Sequence, residues 1–237
     1  MSINKSARIA GILYLVLIFV GMFSVIFVRN KLIVSGDPEA TAKNIMSSLL
    51  LWRMGIAADL LMHILDIPIM LVIYILLKPV NKNLALLALL FNLVQTAVLV
   101  ANKLTLVAAL FPLGSEDYLN AFEAHQLHVQ AYLSLKLHEY GFGVGLIFFG
   151  VTLFINGYLI FKSGFLPKTI GLLLQIAGAC YLVNSFALII APEISGKIFP
   201  IVMLPIFLAE LSWSLWLTLK GVNITKWEEK VNATRLT

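Results

Sequence analysis

The chain has 237 residues, 60% of them hydrophobic and 12% charged, with a mean hydropathy of +0.96. Soluble domains carry about 25% charged residues, so this composition excludes a water-soluble globular protein. The formal net charge of +5 comes from basic residues flanking apolar runs, where they set topology and meet anionic lipid, and it calls for no nucleic-acid partner.

Residues 1–8 are polar and include Lys5 and Arg8; about twenty apolar residues follow, from Ile9 to Val28. That run is long for a signal-peptide core and ends in F-V-R-N-K without a small-x-small cleavage site, so it is expected to be a retained first spanning helix. Five more runs have the length and apolarity of spans, near 54–77, 84–111, 139–161, 169–191 and 198–219. The expected fold is therefore all-α: one polytopic domain over 1–237, a bundle of six transmembrane helices with spans 9–28, 54–77, 84–111, 139–161, 169–191 and 198–219.

The connections alternate in character. Residues 78–82 and 162–168 are tight basic turns, whereas the segments on the other side are longer and carry Asp37, Glu39, Glu116, Asp117, Glu123 and Glu193. Lys5, Arg8, Lys78, Lys82, Lys162, Lys168, Lys220, Lys226, Lys230 and Arg235 make ten basic residues on one side; Arg29, Lys31, Lys43, Arg53, Lys136 and Lys197 make six on the other. The positive-inside rule then places both termini in the cytoplasm, with the lipid bilayer as the main partner. The two longer outer connections are expected to hold amphipathic helices. In the first, Asp37 can cap the helix and Pro38 suits its first position. In the second, 115–137, early acids precede Leu119, Phe122 and Val129 near one face.

Polar residues inside the spans carry the functional content. Asp59, His63 and Asp66 fall within an arc of about 60° on the second span, because spacings of four and three share a helix face. Asn92, Gln95, Asn102 and Lys103 form a second stripe, within about 100°, on the third. His138 and Glu139 stand at the entrance of the fourth span, and Glu210 lies within the sixth. A charge at mid-membrane costs roughly 2.5–3.5 kcal/mol on insertion scales, so ionisable groups at that depth are functional candidates by default. Depth along the helices, at about 1.5 Å per residue, pairs Lys103 with Asp59 and predicts an outward-opening polar pocket. Gly143, Gly150 and Gly157 repeat every seven residues, and Gly171 and Gly178 stand in the fifth span; these are close-packing positions. Pro68 and Pro205 could each break a helix.

No catalytic fingerprint is present: there is no G-x-S-x-G, phosphate-cradling loop, haem attachment site or Rossmann motif. The single cysteine, Cys180, excludes an internal disulfide and a cysteine-clustered metal site. His63, Asp66 and His138 could ligate zinc in an intramembrane metal-dependent hydrolase, but no diagnostic metal spacing supports that alternative. The leading expectation is a non-enzymatic membrane protein without a cofactor that binds or passes a small ligand or ion; a third reading is an accessory or structural subunit.

Five blocks of sequence point to a family. They are A-R-I-A-G-I-L-Y-L, D-P-E-A-T-A-K-N-I, W-R-M-G-I-A-A-D-L-L, H-E-Y-G-F-G-V-G-L-I-F-F-G at 138–150, and G-Y-L-I-F-K-S-G-F-L-P-K-T-I-G-L-L-L-Q-I-A-G-A-C-Y-L at 157–182. Together they resemble the bacterial membrane-protein family termed domain of unknown function 4386, over nearly the whole chain. The resemblance implies a six-helix bacterial membrane protein and supplies no activity. The matching Arg53, Asp59, His138, Gly141 and Pro167 bring no established roles with them.

Overall fold

A computed structural model describes residues 2–235; Met1, Leu236 and Thr237, at the ends of the expected 1–237 domain, lie outside the described residues. The described residues form helices and turns without a strand, and six helices are long and apolar enough to cross a membrane. In chain order the helices are α1 (Ile3–Leu32), α2 (Pro38–Ser47), α3 (Leu49–Leu77), α4 (Lys82–Ala108), α5 (Ala124–Ser163), α6 (Lys168–Ile190), α7 (Pro192–Leu219) and α8 (Ile224–Arg235). All but α2 and α8 are spans. Their outer surface is apolar: Ile64, Leu104, Ile190 and Ile201 are among the most exposed side chains, while Asp59, His63, Asn92 and Lys103 are buried. That inversion suits hydrocarbon as solvent, where polar groups must be satisfied internally.

The spans fall where the apolar runs predict, with two differences. The 115–137 connection does not form a helix of its own. A short 3₁₀ turn occupies Asp117–Ala121, and α5 then starts at Ala124 and runs unbroken for 40 residues. Nothing between 124 and 139 stops a helix, so the expected connector merges with the span. Nor do the prolines end their helices: α3 continues through Pro68 and α7 through Pro200 and Pro205.

The described chain divides into two compact units. The smaller comprises Ile18–Ile64 and Val98–Phe142. Its apolar core gathers Val28, Leu32, Ile45, Trp52, Ile56, Leu106, Ala109 and Leu135. Here α1 widens into a π-helical stretch over Phe23–Arg29, and Ser24 Oγ donates to the Gly55 carbonyl at 3.0 Å. The expected start of α2 is found: the Asp37 side chain accepts from Ala40 N at 2.9 Å, with Pro38 in the first turn. Trp52 Nε1 donates to the Leu106 carbonyl at 3.2 Å. Leu106 stands among the last residues of α4, whose carbonyls lack helical partners, so the indole satisfies an otherwise orphaned acceptor inside the core.

The larger unit comprises, of the described residues, 2–17, 65–97 and 143–235. Two glycine pairs set how closely α5 and α6 approach. A Cβ at Gly157 would sit 2.6 Å from the Gly171 carbonyl oxygen, and one at Gly178 would sit 2.6 Å from that of Gly150. Both pairs repeat at seven residues, so backbone meets backbone at two levels, as small residues permit in membrane bundles. Gly221 ends α7 at φ +68, donating to the Trp216 carbonyl at 3.0 Å, a conformation that other residues adopt only with strain. Beyond it, α8 docks through Trp227 Nε1, which donates to the Leu76 carbonyl at 3.1 Å.

Two substitutions test these packing devices in detergent unfolding. Gly157→Ala should cost about 1–3 kcal/mol through overpacking against α6. Trp52→Phe keeps the ring but leaves the Leu106 carbonyl unpaired, and should cost about 1–3 kcal/mol. Neutral outcomes would show that the contacts are not close in the membrane-extracted protein.

Candidate functional site

In the smaller unit the polar residues converge on Asp59. Asp59 is 0% exposed, and its carboxylate is gripped by both terminal guanidinium nitrogens of Arg29, Nη1 on Oδ2 and Nη2 on Oδ1. Lys103 Nζ lies 3.1 Å from the same Oδ2 and 5.4 Å from the Phe142 ring centroid. The expected Lys103–Asp59 pair is thus present, and Arg29 joins it. The fork of a guanidinium matches both oxygens of a carboxylate, while an aromatic face gives the ammonium a second favourable contact.

His63 stands one helical turn beyond Asp59; it is 3% exposed and its Nε2 has no hydrogen-bond partner. The Asn102 amide nitrogen donates to the His138 carbonyl at 2.9 Å and reaches His138 Nδ1 at 3.0 Å. Gly141 makes room for the amide, since a Cβ there would lie 2.7 Å from Asn102 Cγ. Glu139, by contrast, is exposed and pairs with Lys136 at 3.0 Å, outside the buried group.

In the larger unit two carboxylates are met differently. Asp66 Oδ2 accepts from Thr96 Oγ1 at 2.7 Å and from Asn92 Nδ2 at 2.9 Å. Its Oδ1 accepts nothing from the described residues. Gln95 is buried next to Thr96, whose hydroxyl also reaches its side-chain oxygen at 3.4 Å. Glu210 is partly buried, and each oxygen accepts a tyrosine hydroxyl: Oε2 from Tyr14 at 3.0 Å, Oε1 from Tyr181 at 2.7 Å.

Asp66 also lines a cavity with Tyr14, Asn92, Thr152, Asn156 and Trp213. The space open to the centre of a water-sized sphere there is about 20 Å³, which gives room for a water or a small ion. The ten sequence candidates therefore divide: Asp59, His63, Asn102, Lys103 and His138 gather in one unit, Asp66, Asn92, Gln95 and Glu210 lie in the other, and Glu139 stands apart. Among the described residues no group of three or more His, Cys, Asp or Glu side chains is placed to hold a metal ion.

Sequence reading overlooked Arg29, counted with the outer connection, although its place at the end of an apolar run was a usable signal. It also overlooked Tyr14, Thr96 and Tyr181, which hydropathy hides among apolar residues.

The Asp59 cluster yields a direct test. Asp59→Leu leaves Lys103 buried beside Arg29 with no counter-charge and should cost about 3–5 kcal/mol in unfolding, whereas the double change Asp59→Leu, Lys103→Met should recover most of that loss. Additive losses would mean that the ion pair is not coupled.

No curated protein and no solved structure matches the chain. The family described as "Domain of unknown function (DUF4386)" matches residues 9–221, nearly the whole length, with the six spans that its resemblance implied. The chain belongs to that membrane-protein family.

Proposed function

We propose that this protein is a non-enzymatic multi-pass protein of a bacterial inner membrane that binds or passes a small ion through polar sites within the spans. The observation that carries this reading is the Asp66 cavity. One carboxylate oxygen is held by Thr96 and Asn92, the other accepts nothing from the described residues, and the adjoining space has room for a water or a small ion. A carboxylate with an unused oxygen in a low-dielectric setting gains from a bound cation or a proton. Asn92, Asn156 and Tyr14 line the same cavity and supply oxygens, the ligand type that hard cations prefer. The larger unit offers Asp66 no salt bridge among the described residues, which leaves its charge to be balanced by what enters.

The basic residues give the orientation we favour, with both termini cytoplasmic, because ten Lys and Arg stand on that side against six on the other.

A thermal-unfolding panel of the purified chain tests the reading, using sodium, potassium, lithium, magnesium, calcium, protons and small organic ions at constant ionic strength. One small cation or the proton should stabilise the wild type, by about 2.7 kcal/mol at a hundredfold excess over Kd. Asp66→Asn should abolish that effect. If no component stabilises the wild type and Asp66→Asn is merely less stable, the reading fails.

A further inference from the structure

The smaller unit carries an imbalance of the opposite sign. Asp59 is the one acid among its inward-turned charged residues, and it faces two cations, Arg29 and Lys103. Both of its oxygens are already taken by the guanidinium. Lys103 is 2% exposed, and although Nζ lies 3.1 Å from Asp59 Oδ2, its N–H groups find no aligned hydrogen-bond acceptor. His63 Nε2 is likewise enclosed and unpartnered. Lys103 and Asp59 stand within electrostatic reach of His63, and Lys103, Arg29 and Asp59 within that of His138; four of these five groups are bases. Leaving donors and a net positive charge buried is costly. A water would satisfy the donors but would leave the charge.

We infer that Lys103, His63 and Arg29 form a binding site for a singly charged anion, distinct from the Asp66 cavity. One negative charge balances the excess of two cations over one carboxylate, and an anion accepts from Lys103 Nζ and, in the tautomer protonated there, from His63 Nε2. Arg29, whose side chain is 16% exposed, gives the site its contact with the surroundings. A free anion such as chloride or acetate and a lipid phosphodiester share this chemistry.

The test uses the full chain, delipidated in neutral detergent, with thermal unfolding read in sodium chloride and sodium acetate against sodium gluconate at equal ionic strength. A second arm in gluconate adds phosphatidylglycerol against phosphatidylcholine. The wild type should unfold several degrees higher in chloride or acetate, or, where the anion is a lipid phosphate, with phosphatidylglycerol alone. Lys103→Met leaves the neutral Arg29–Asp59 pair and should lose this dependence. His63→Leu touches neither ion pair, keeps the test open should Lys103→Met fold poorly, and should weaken anion binding roughly tenfold or more. Asp66→Asn should keep the anion response in full, so failure of the cavity reading is separable from failure of this one. An unfolding temperature indifferent to every anion, or a response that both Lys103→Met and His63→Leu retain in full, would overturn the inference.

Discussion

A carboxylate inside a bilayer needs a counter-charge, a set of hydrogen-bond donors, or a proton, because the surrounding hydrocarbon offers none of them. Three inward-turned acids among the described residues meet that demand in three ways. Asp59 takes two cations, Arg29 and Lys103. Glu210 takes two tyrosine hydroxyls, one per oxygen. Asp66 takes two donors on one oxygen and none on the other. The first two leave no carboxylate oxygen without a partner. The third is open, and it lies on a cavity with room for a water or a small ion.

The apolar architecture exists to hold these groups at fixed positions. Close glycine contacts bring α5 and α6 backbone to backbone in the larger unit, which keeps Thr152 and Asn156 of α5 at the cavity wall. In the smaller unit, the Trp52 indole ties α3 to the end of α4, one turn from Lys103. The π-helical stretch of α1 ends at Arg29. Such stretches are rare and recur at functional sites, and here the segment carries the guanidinium that completes the ion cluster.

Much of the fold was legible because the membrane imposes a coarse rule. Runs of about twenty apolar residues must be helices, so the six spans followed from hydropathy, and Asp37-Pro38 marked the start of α2. The start of α5 was not legible, since the polar residues of 124–138 neither favour nor forbid continuing a helix into the span. Pro68 and Pro205 were ambiguous for a related reason: long helices held by neighbours tolerate a missing backbone bond. For the site, periodicity correctly turned Asp59, His63, Asp66, Asn92 and Lys103 inward, and depth alone matched Lys103 with Asp59. It could not divide those residues between two groups, because one helix face carries Asp59 and Asp66 alike and only tertiary packing separates them. Arg29 escaped notice because a basic residue at the end of an apolar run resembles an ordinary topology signal. Tyr14 and Tyr181 escaped because a hydroxyl on an aromatic ring barely changes hydropathy.

The central claim is that the free oxygen of Asp66 is completed by a small cation or a proton. Infrared difference spectroscopy of the reconstituted protein addresses that oxygen itself, by exchanging cations and protons and comparing the wild type with Asp66→Asn. The account predicts a carboxyl or carboxylate band that responds to at least one of these ions and vanishes in the variant. Identical spectra for the two proteins under every ion would contradict it, leaving Asp66 as an inert part of the scaffold.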